Sequence, residues 1–501
     1  MLTYSLDKTG SESLYLHLYQ CIKSDILSGA LTSGERLPSR RSLAGQLGVS
    51  NITVENAYGL LQSEGYIYSI PKKGYFVSDL TFLPFAASSA ESVLPAENRE
   101  FRKSTPPSAS DYVSGKKQEM DGILSGGTRQ AAESACFADF VSNRTTPESF
   151  PFSVWAKLLR ETLCMRQQEL LQTPPCGGVI ELREAICSHL KQFRGMMVRP
   201  EQIIVGAGTD YLYSMLIRLL GQDKIYAVEN PGYSKIARVY SSSGVICRSV
   251  AMDGYGIRIE ELEKQGADIA HISPSHHYPS GIVTPAGRRC ELLGWASGCE
   301  RRCIIEDDYD SEFRFAAKPL PTLYSIDTSQ KVIYMNTFTK SLAPTIRISY
   351  MVLPPRLLLR FCRELSFYAS TVSNFEQYTL ARFIRGGYFE KHINRMRNRY
   401  RSVRDELLGE IAASPLAARS SIREEGAGLH FILRLDTPLT DAELVASARR
   451  NGIRISCLSE YFHPGTAASE CSEHVVIMNY SGIEKEKIRE AVRRLADAVV
   501  F

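Results

Sequence analysis

TFTKSLAPTIRISY, residues 337–350, follows the apolar run VIYMN and sets Lys340 seven residues ahead of Arg347. A lysine on the turn after a strand, with an arginine at this distance, is what pyridoxal 5'-phosphate needs. The amine condenses with the cofactor's aldehyde as a Schiff base. The planar guanidinium clamps two phosphate oxygens at once, which an ammonium does not do. Lys340 is therefore expected to be the catalytic lysine and Arg347 a phosphate ligand, with the hydroxyls of Thr337 and Thr339 beside it.

Working back along the chain, CIIEDDYDSEF (303–313) ends an apolar run in carboxylates 33 residues before Lys340. A carboxylate there keeps the pyridine nitrogen protonated and makes the ring an electron sink. The role is assigned to Asp307, with Glu306 and Asp308 as alternatives, and Tyr309 is expected to bond the ring's phenolic oxygen. A metal site is the competing reading of the acidic cluster, but no histidine stands near it in sequence. VGAGTDYLYSML (205–216) is a glycine-rich turn opening a helix, whose free N–H groups at Gly208, Thr209 and Asp210 suit a phosphate. In VENPGYSK (228–235), Tyr233 is placed to stack on the ring. In SPSHHYPSG (273–281), His276 and Tyr278 are within reach of it.

Around these motifs, short apolar runs (IIVGAG, KIYAVEN, IAHISP, CIIEDDY, VIYMNTF) alternate with helical stretches, which predicts an α/β domain on a mainly parallel sheet over 139–501. Strands at His430–Leu435 and His474–Tyr480, with helices near 441–451 and 484–498, predict a smaller C-terminal α/β subdomain. Residues 79–138 are rich in Ser, Ala, Pro, Gly and charge and are expected to be a linker.

Residues 1–78 read as a winged helix-turn-helix. Leu14, Leu18, Ile22 and Ile26 recur at spacing four in a first helix. A second runs from Ser39 to Leu47, and a third from Ser50 to Glu64 with Val54, Ala57 and Leu61 inward. The runs 66–70 and 75–77, joined by Pro71-Lys72-Lys73-Gly74, predict a hairpin. The third helix would present Ser50, Asn51, Ile52, Thr53 and Glu55 to base edges of a double-stranded operator. Ser39, Arg40, Arg41, Lys72 and Lys73 would meet phosphates. Residues 1–80 carry seven basic and seven acidic side chains, so attraction to DNA depends on how the charges are segregated.

LPSRRSLAGQLGVSNITVENAYGLLQSEGYIYSIPKKGYFV resembles the GntR-type winged helix. PSHHYPSG, IIEDDYDSEFRF and VIYMNTFTKSLAPTIRISYMVLPP resemble the fold-type I aminotransferase-like domain of the MocR/GabR family of regulators. The resemblance implies a pyridoxal-phosphate-dependent transcription regulator, a head-to-tail homodimer, that senses an amino compound or the cofactor itself through aldimine chemistry at Lys340. A working aminotransferase with an accessory DNA-binding domain is the alternative. The chain departs from the family pattern in carrying His277 where glutamine is common and Lys235 where some members have arginine. Lys235 and Arg454 are the candidates for an effector carboxylate.

Composition narrows the field further. A net charge of +4 over 501 residues signals no polyanion partner by itself, and 44% apolar residues is ordinary for a globular protein. The first residues lack a basic stretch leading into an apolar one, no run reaches the roughly 20 residues of a membrane span, and a cytoplasmic location is expected. The 12 cysteines include no C-x-x-C pair, which argues against a disulfide framework or a zinc site.

Overall fold

The computed structural model describes residues 14–63, 66–70, 73–78, 136–143, 145–315, 320–424, 426, 428–463 and 473–499. They fall into two units.

In the small unit, α1 (Leu14–Leu27), α2 (Arg40–Leu47) and α3 (Asn51–Ser63) precede the hairpin β1 (Ile67–Ile70) and β2 (Gly74–Val77). Leu18, Ile22 and Ile26 of α1 are buried against Leu43, Val54, Ala57 and Leu61, as the spacing predicts, while Leu14 is left 41% exposed at the helix start. Ser39 caps α2 by accepting the Ser42 N–H, and Gly48 ends it in the left-handed conformation that glycine adopts without penalty. Ser50 caps α3 in the same way, its hydroxyl accepting the Thr53 N–H. The hairpin pairs Ile67 with Val77 and Ile70 with Gly74.

The large unit is built on eight strands. They are β4 (Ile203–Gly206), β5 (Ile225–Asn230), β6 (Ile246–Asp253), β7 (Gly256–Ile257), β8 (Ile269–Ile272), β9 (Cys303–Asp307), β10 (Val332–Thr337) and β11 (Ser349–Val352), preceded by the short β3 (Ala138–Asp139). The sheet order is β4-β11-β10-β9-β8-β5-β6-β7. The central pairs are parallel, and β11 runs antiparallel to both its neighbours. Every residue of β4, β8, β9 and β10 is buried, because helices cover both faces of a parallel sheet and leave no solvent side for an alternating pattern. Helix α4 (Thr209–Leu220) leaves the end of β4, and helix α5 (Pro355–Glu364) follows β11.

The C-terminal part holds a three-stranded antiparallel sheet of β12 (Ser420–Arg423), β13 (His430–Leu435) and β15 (Val475–Asn479), with helices Asp441–Arg450 and Ile488–Ala498. The short β14 (Ile453–Arg454) pairs in parallel with β3. Of the stretch read as a linker, 79–135 lies outside the described residues. Phe137 and Ala138 already belong to the large unit, their N–H groups bonded to the Gly452 carbonyl. Among the described residues no helix is long and apolar enough to cross a membrane.

Candidate functional site

The carboxyl ends of β4, β5, β8, β9 and β10 converge on a cavity of about 340 Å³. This is the edge of an open α/β sheet where ligand crevices form, because the loops there diverge. Lys340, Asp307, Tyr309, Tyr233, Thr209, Thr337, Thr339 and Arg347 all line it.

Strand alternation decides between the three carboxylates. Glu306 and Asp308 point to the face opposite Asp307. Glu306 accepts the N–H groups of Leu323 and Tyr324, both at 2.9 Å. Asp308 pairs with the buried Arg194 at 2.8 Å and accepts the Tyr334 hydroxyl at 2.7 Å. Asp307 alone faces the cavity. Its Oδ2 accepts the Tyr213 hydroxyl at 2.6 Å, with His271 Nε2 at 3.5 Å. Its Oδ1 is buried with no partner among the described residues. Burying a carboxylate oxygen unpaired is expensive. Asp307 Oδ1 is thus a vacant acceptor on a residue that lines the cavity, available to a protonated pyridine nitrogen.

Lys340 sits on the short helical turn after β10, where the Thr337 hydroxyl accepts the Thr339 N–H at 3.2 Å. Its amine makes no hydrogen bond with any described residue. Burial holds it below the ordinary lysine range, opposed by the charge of Asp310. A depressed amine is a better nucleophile towards an aldehyde.

Gly208 precedes α4 with φ +89°, and a side chain there would run into the Arg347 guanidinium. Only glycine permits both the left-handed backbone and the close approach. Arg347 therefore lies over the N-terminus of α4, where a cation and the first helical N–H groups suit a phosphate. The Gly208 N–H, expected to be free, is instead bonded to the Gly206 carbonyl at 2.9 Å, because the chain turns tightly out of β4. Asp210 holds Arg347 at 3.2 Å and Lys235 at 2.7 Å, so the Lys235 amine is engaged at the cavity wall. Thr337 also accepts the Ser349 hydroxyl and donates to Thr339, which ties its oxygen into the strand end. The donor set fits pyridoxal phosphate: an amine, an unpartnered carboxylate oxygen, and a cation over a helix N-terminus.

Tyr233 lines the cavity, half-exposed, with its ring edge-on to Tyr278 at 6.2 Å. His276 does not line the cavity. It is buried behind Tyr309, its Nδ1 2.8 Å from Asp310 and 3.3 Å from the Tyr309 hydroxyl. Arg454 is not among the lining residues either: it pairs with Asp139 at 3.2 Å and contacts the Ser142 hydroxyl at 3.3 Å. Sequence reasoning passed over Tyr213, His271 and Glu229, which do line the cavity. Glu229 is buried, accepts the Ser273 N–H at 2.9 Å and lies 3.6 Å from His277. Burial pushes its carboxyl up to about 8 and the His277 imidazole down to about 3. These residues stand in or near motifs already singled out, but their facing is set by pairings between strands remote in sequence.

In the small unit, Ser39, Arg40, Arg41, Ser50, Asn51 and Lys73 are exposed and Thr53 is half-buried. Lys72 lies outside the described residues. Arg40 of α2 forms an ion pair with Glu55 of α3, so the two helices present one linked polar surface. Ile52 stands 68% exposed between Asn51 and Thr53.

Residues 14–77 match the model of bacterial regulatory proteins of the gntR family, and residues 141–495 that of aminotransferase class I and II. The chain is 34% identical to the uncharacterized HTH-type transcriptional regulator YdeL of Bacillus subtilis (strain 168), over 99% of each chain. It is 31% identical to the probable rhizopine catabolism regulatory protein MocR of Rhizobium meliloti, over 98% of this chain and 95% of that one. Among solved structures, Pyrococcus horikoshii kynurenine aminotransferase superposes with a TM-score of 0.64 at 23% identity, covering 78% of this chain and 98% of its own. The multiple substrate aminotransferase of Thermococcus profundus gives a TM-score of 0.63 at 24% identity, over 73% and 91%. These two show the fold alone.

Proposed function

The chain belongs to the MocR/GabR-type family of HTH-type transcriptional regulators, which join a GntR domain to an aminotransferase-like domain, and we propose that it regulates transcription by binding pyridoxal 5'-phosphate and a small amino compound in the large unit. One observation carries the reading. The Lys340 amine, the vacant Oδ1 of Asp307 and the Arg347 guanidinium over the start of α4 converge on one cavity, in a chain that also carries a helix-turn-helix.

Asp307 would hold the ring nitrogen, Tyr309 the ring oxygen, and Tyr233 the ring face. Thr209 at the start of α4, with Thr337, Thr339 and Arg347, would hold the phosphate, Gly208 giving the Arg347 guanidinium room to approach. When bound, the cofactor supplies an aldehyde that condenses with amines. The lowered proton affinity of Lys340 keeps a fraction of its amine uncharged for that purpose. Tyr213 keeps Asp307 fixed while burial excludes water around it.

On the DNA side, Asn51, Ser50 and Thr53 would face bases, while Ser39, Arg40, Arg41, Lys72 and Lys73 would hold the backbone of a double-stranded operator. A neutral module has few phosphate contacts, so we expect a head-to-tail homodimer, in the cytoplasm, to engage two half-sites. Residues 1–78, 79–136 and 137–501 are taken as the DNA-binding domain, the connection and the sensing domain, the last boundary moved from 138 because Phe137 and Ala138 bond to Gly452.

The test is an operator selected from random duplexes with the holo-protein, then titrated with a panel of amino compounds. The reading expects a selected motif with two half-sites, and a ligand that shifts its affinity. A protein that selects no duplex, or takes up no added cofactor, overturns it.

A further inference from the structure

At the opposite edge of the large sheet, where β5, β8, β9 and β10 begin, a second cleft opens with a volume of about 530 Å³. One wall is α5, which turns Arg356, Arg360 and Arg363 towards it. Steps of four and three residues keep all three on one helical face. The facing wall brings Lys224, Arg301 and Lys331.

Negative charge does not match this set. Glu364 is shared between Arg360 at 2.9 Å and Arg363 at 3.2 Å. Glu300 takes Arg356 at 2.7 Å, and Arg301 is met by Asp223 and Asp268. Lys224 donates instead to the Arg301 carbonyl, and Lys331 to the carbonyls of Cys299 and Glu300. Burial, and then the charge of Arg356, hold the Lys331 amine below the ordinary lysine range. The cleft therefore gathers like charge in a concave site, where walls of low dielectric strengthen its field.

We propose that this cleft binds a run of closely spaced phosphates. Arginines are the side chains whose forks meet phosphate oxygens in pairs, and a row of them along a helix answers a linear polyanion better than a single anion. The salt bridges at the mouth, Arg356 to Glu300 and Arg360 to Glu364, are exposed enough to exchange a carboxylate for a phosphate at small cost. This chemistry has two sources, a free polyphosphate or the backbone of bound DNA.

The experiment titrates full-length holo-protein with sodium tripolyphosphate by calorimetry, and with an operator-free duplex across salt concentrations. Three proteins are compared: the parent, Arg356→Gln with Arg360→Gln, and Arg493→Gln on the C-terminal helix as a charge control. A free polyphosphate as source predicts one site per chain, weakened at least tenfold in the double variant and unchanged in the control. The DNA backbone as source predicts that the slope of log K against log salt falls by about 2 in the double variant, roughly 0.9 per phosphate contact, and that tripolyphosphate competes with the duplex. Should the double variant unfold early, Lys224→Gln serves in its place. A parent that binds neither probe, a double variant that matches the parent with both probes, or a control that weakens as much as the double variant overturns the proposal.

Discussion

Tyr213 donates a 2.6 Å hydrogen bond to Oδ2 of Asp307 and leaves Oδ1 buried without a partner among the described residues. The tyrosine comes from α4 and the carboxylate from the end of β9, so the bond fixes one oxygen and leaves the other free. Asp307→Asn should therefore keep the fold but lose cofactor, because a charged hydrogen bond contributes on the order of 1.5–3 kcal/mol, or about 10- to 100-fold in retention. Tyr213→Phe should weaken retention less, since it removes the brace and not the charge. Dialysis against buffer followed by absorbance reads both. Equal retention in Asp307→Asn and the parent would place the ring nitrogen elsewhere.

The purified protein should be yellow, and borohydride should fix the cofactor onto Lys340. Lys340→Ala should abolish the covalent product seen by mass spectrometry while still taking up cofactor, since the phosphate ligands remain. Arg347→Ala should bind cofactor about tenfold or more weakly. Its partner Asp210 would then hold Lys235 alone, with no cation left above Gly208. Unchanged affinity in Arg347→Ala would show that the phosphate lies elsewhere.

Much of the large site was legible because its chemistry is local. Lys340 and Arg347 stand seven residues apart between β10 and β11, and Gly208 stands where a strand hands over to a helix. What was not legible depended on sheet pairing. Sequence favoured Asp307 over Glu306 and Asp308 but did not fix which carboxylate points inward. They separate only when β9 lies between β8 and β10, so that alternate residues face opposite sides. Arg454 shows the converse. Its charge invited a ligand role, yet the pairing of β14 with β3 commits it to Asp139. In the small unit, helical spacing and caps placed the second and third helices to within one residue over the described range, because Ser39 and Ser50 cap their starts and Gly48 ends the second.

Glu229 sets a pH dependence. Its folded-state carboxyl is pushed up to about 8, above the ordinary range near 4.5, so the native state binds the extra proton. Stability from this group is full below the unfolded value and is lost as pH rises through the folded one. Thermal unfolding should therefore show falling stability between pH 5 and 9, with an upper bound of about 5 kcal/mol from this residue. Glu229→Gln keeps the shape without the titration, so it should flatten much of that fall. A profile in Glu229→Gln that parallels the parent would assign the loss to other groups.

Residues 1–80 alone should bind an operator weakly and the full chain strongly. The cause is avidity: a tethered second copy rebinds at high effective concentration. The Arg40–Glu55 pair matters here, because it draws one of the few cations on this surface towards a carboxylate. Glu55→Ala should free Arg40 for a phosphate and strengthen binding while steepening its salt dependence by about one unit. Footprinting should show two protected segments. Equal affinity for the isolated unit and the full chain would contradict the avidity argument.

The last expectation concerns how ligand reaches DNA. If the chain holds the cofactor as proposed, an amino ligand taking the place of Lys340 would free a lysine whose amine has no other hydrogen-bond partner among the described residues. It would also fill the space lined by Tyr233, Glu229 and Lys340. Such an exchange shifts a conformational equilibrium only by the ligand's differential affinity for the two states. Compounds of the same shape without an amine lack the covalent step, so they should be much weaker effectors. An effective amine should alter operator affinity or DNA bending with little steady turnover. The decisive protein is Lys340→Ala, reconstituted with cofactor and followed by mobility shift across ligand concentrations. Without the lysine to displace, its response should change in midpoint or vanish. A response equal to the parent's in size and midpoint would mean that the site senses its effector by non-covalent contacts alone, and that the amine exchange at Lys340 is not the trigger.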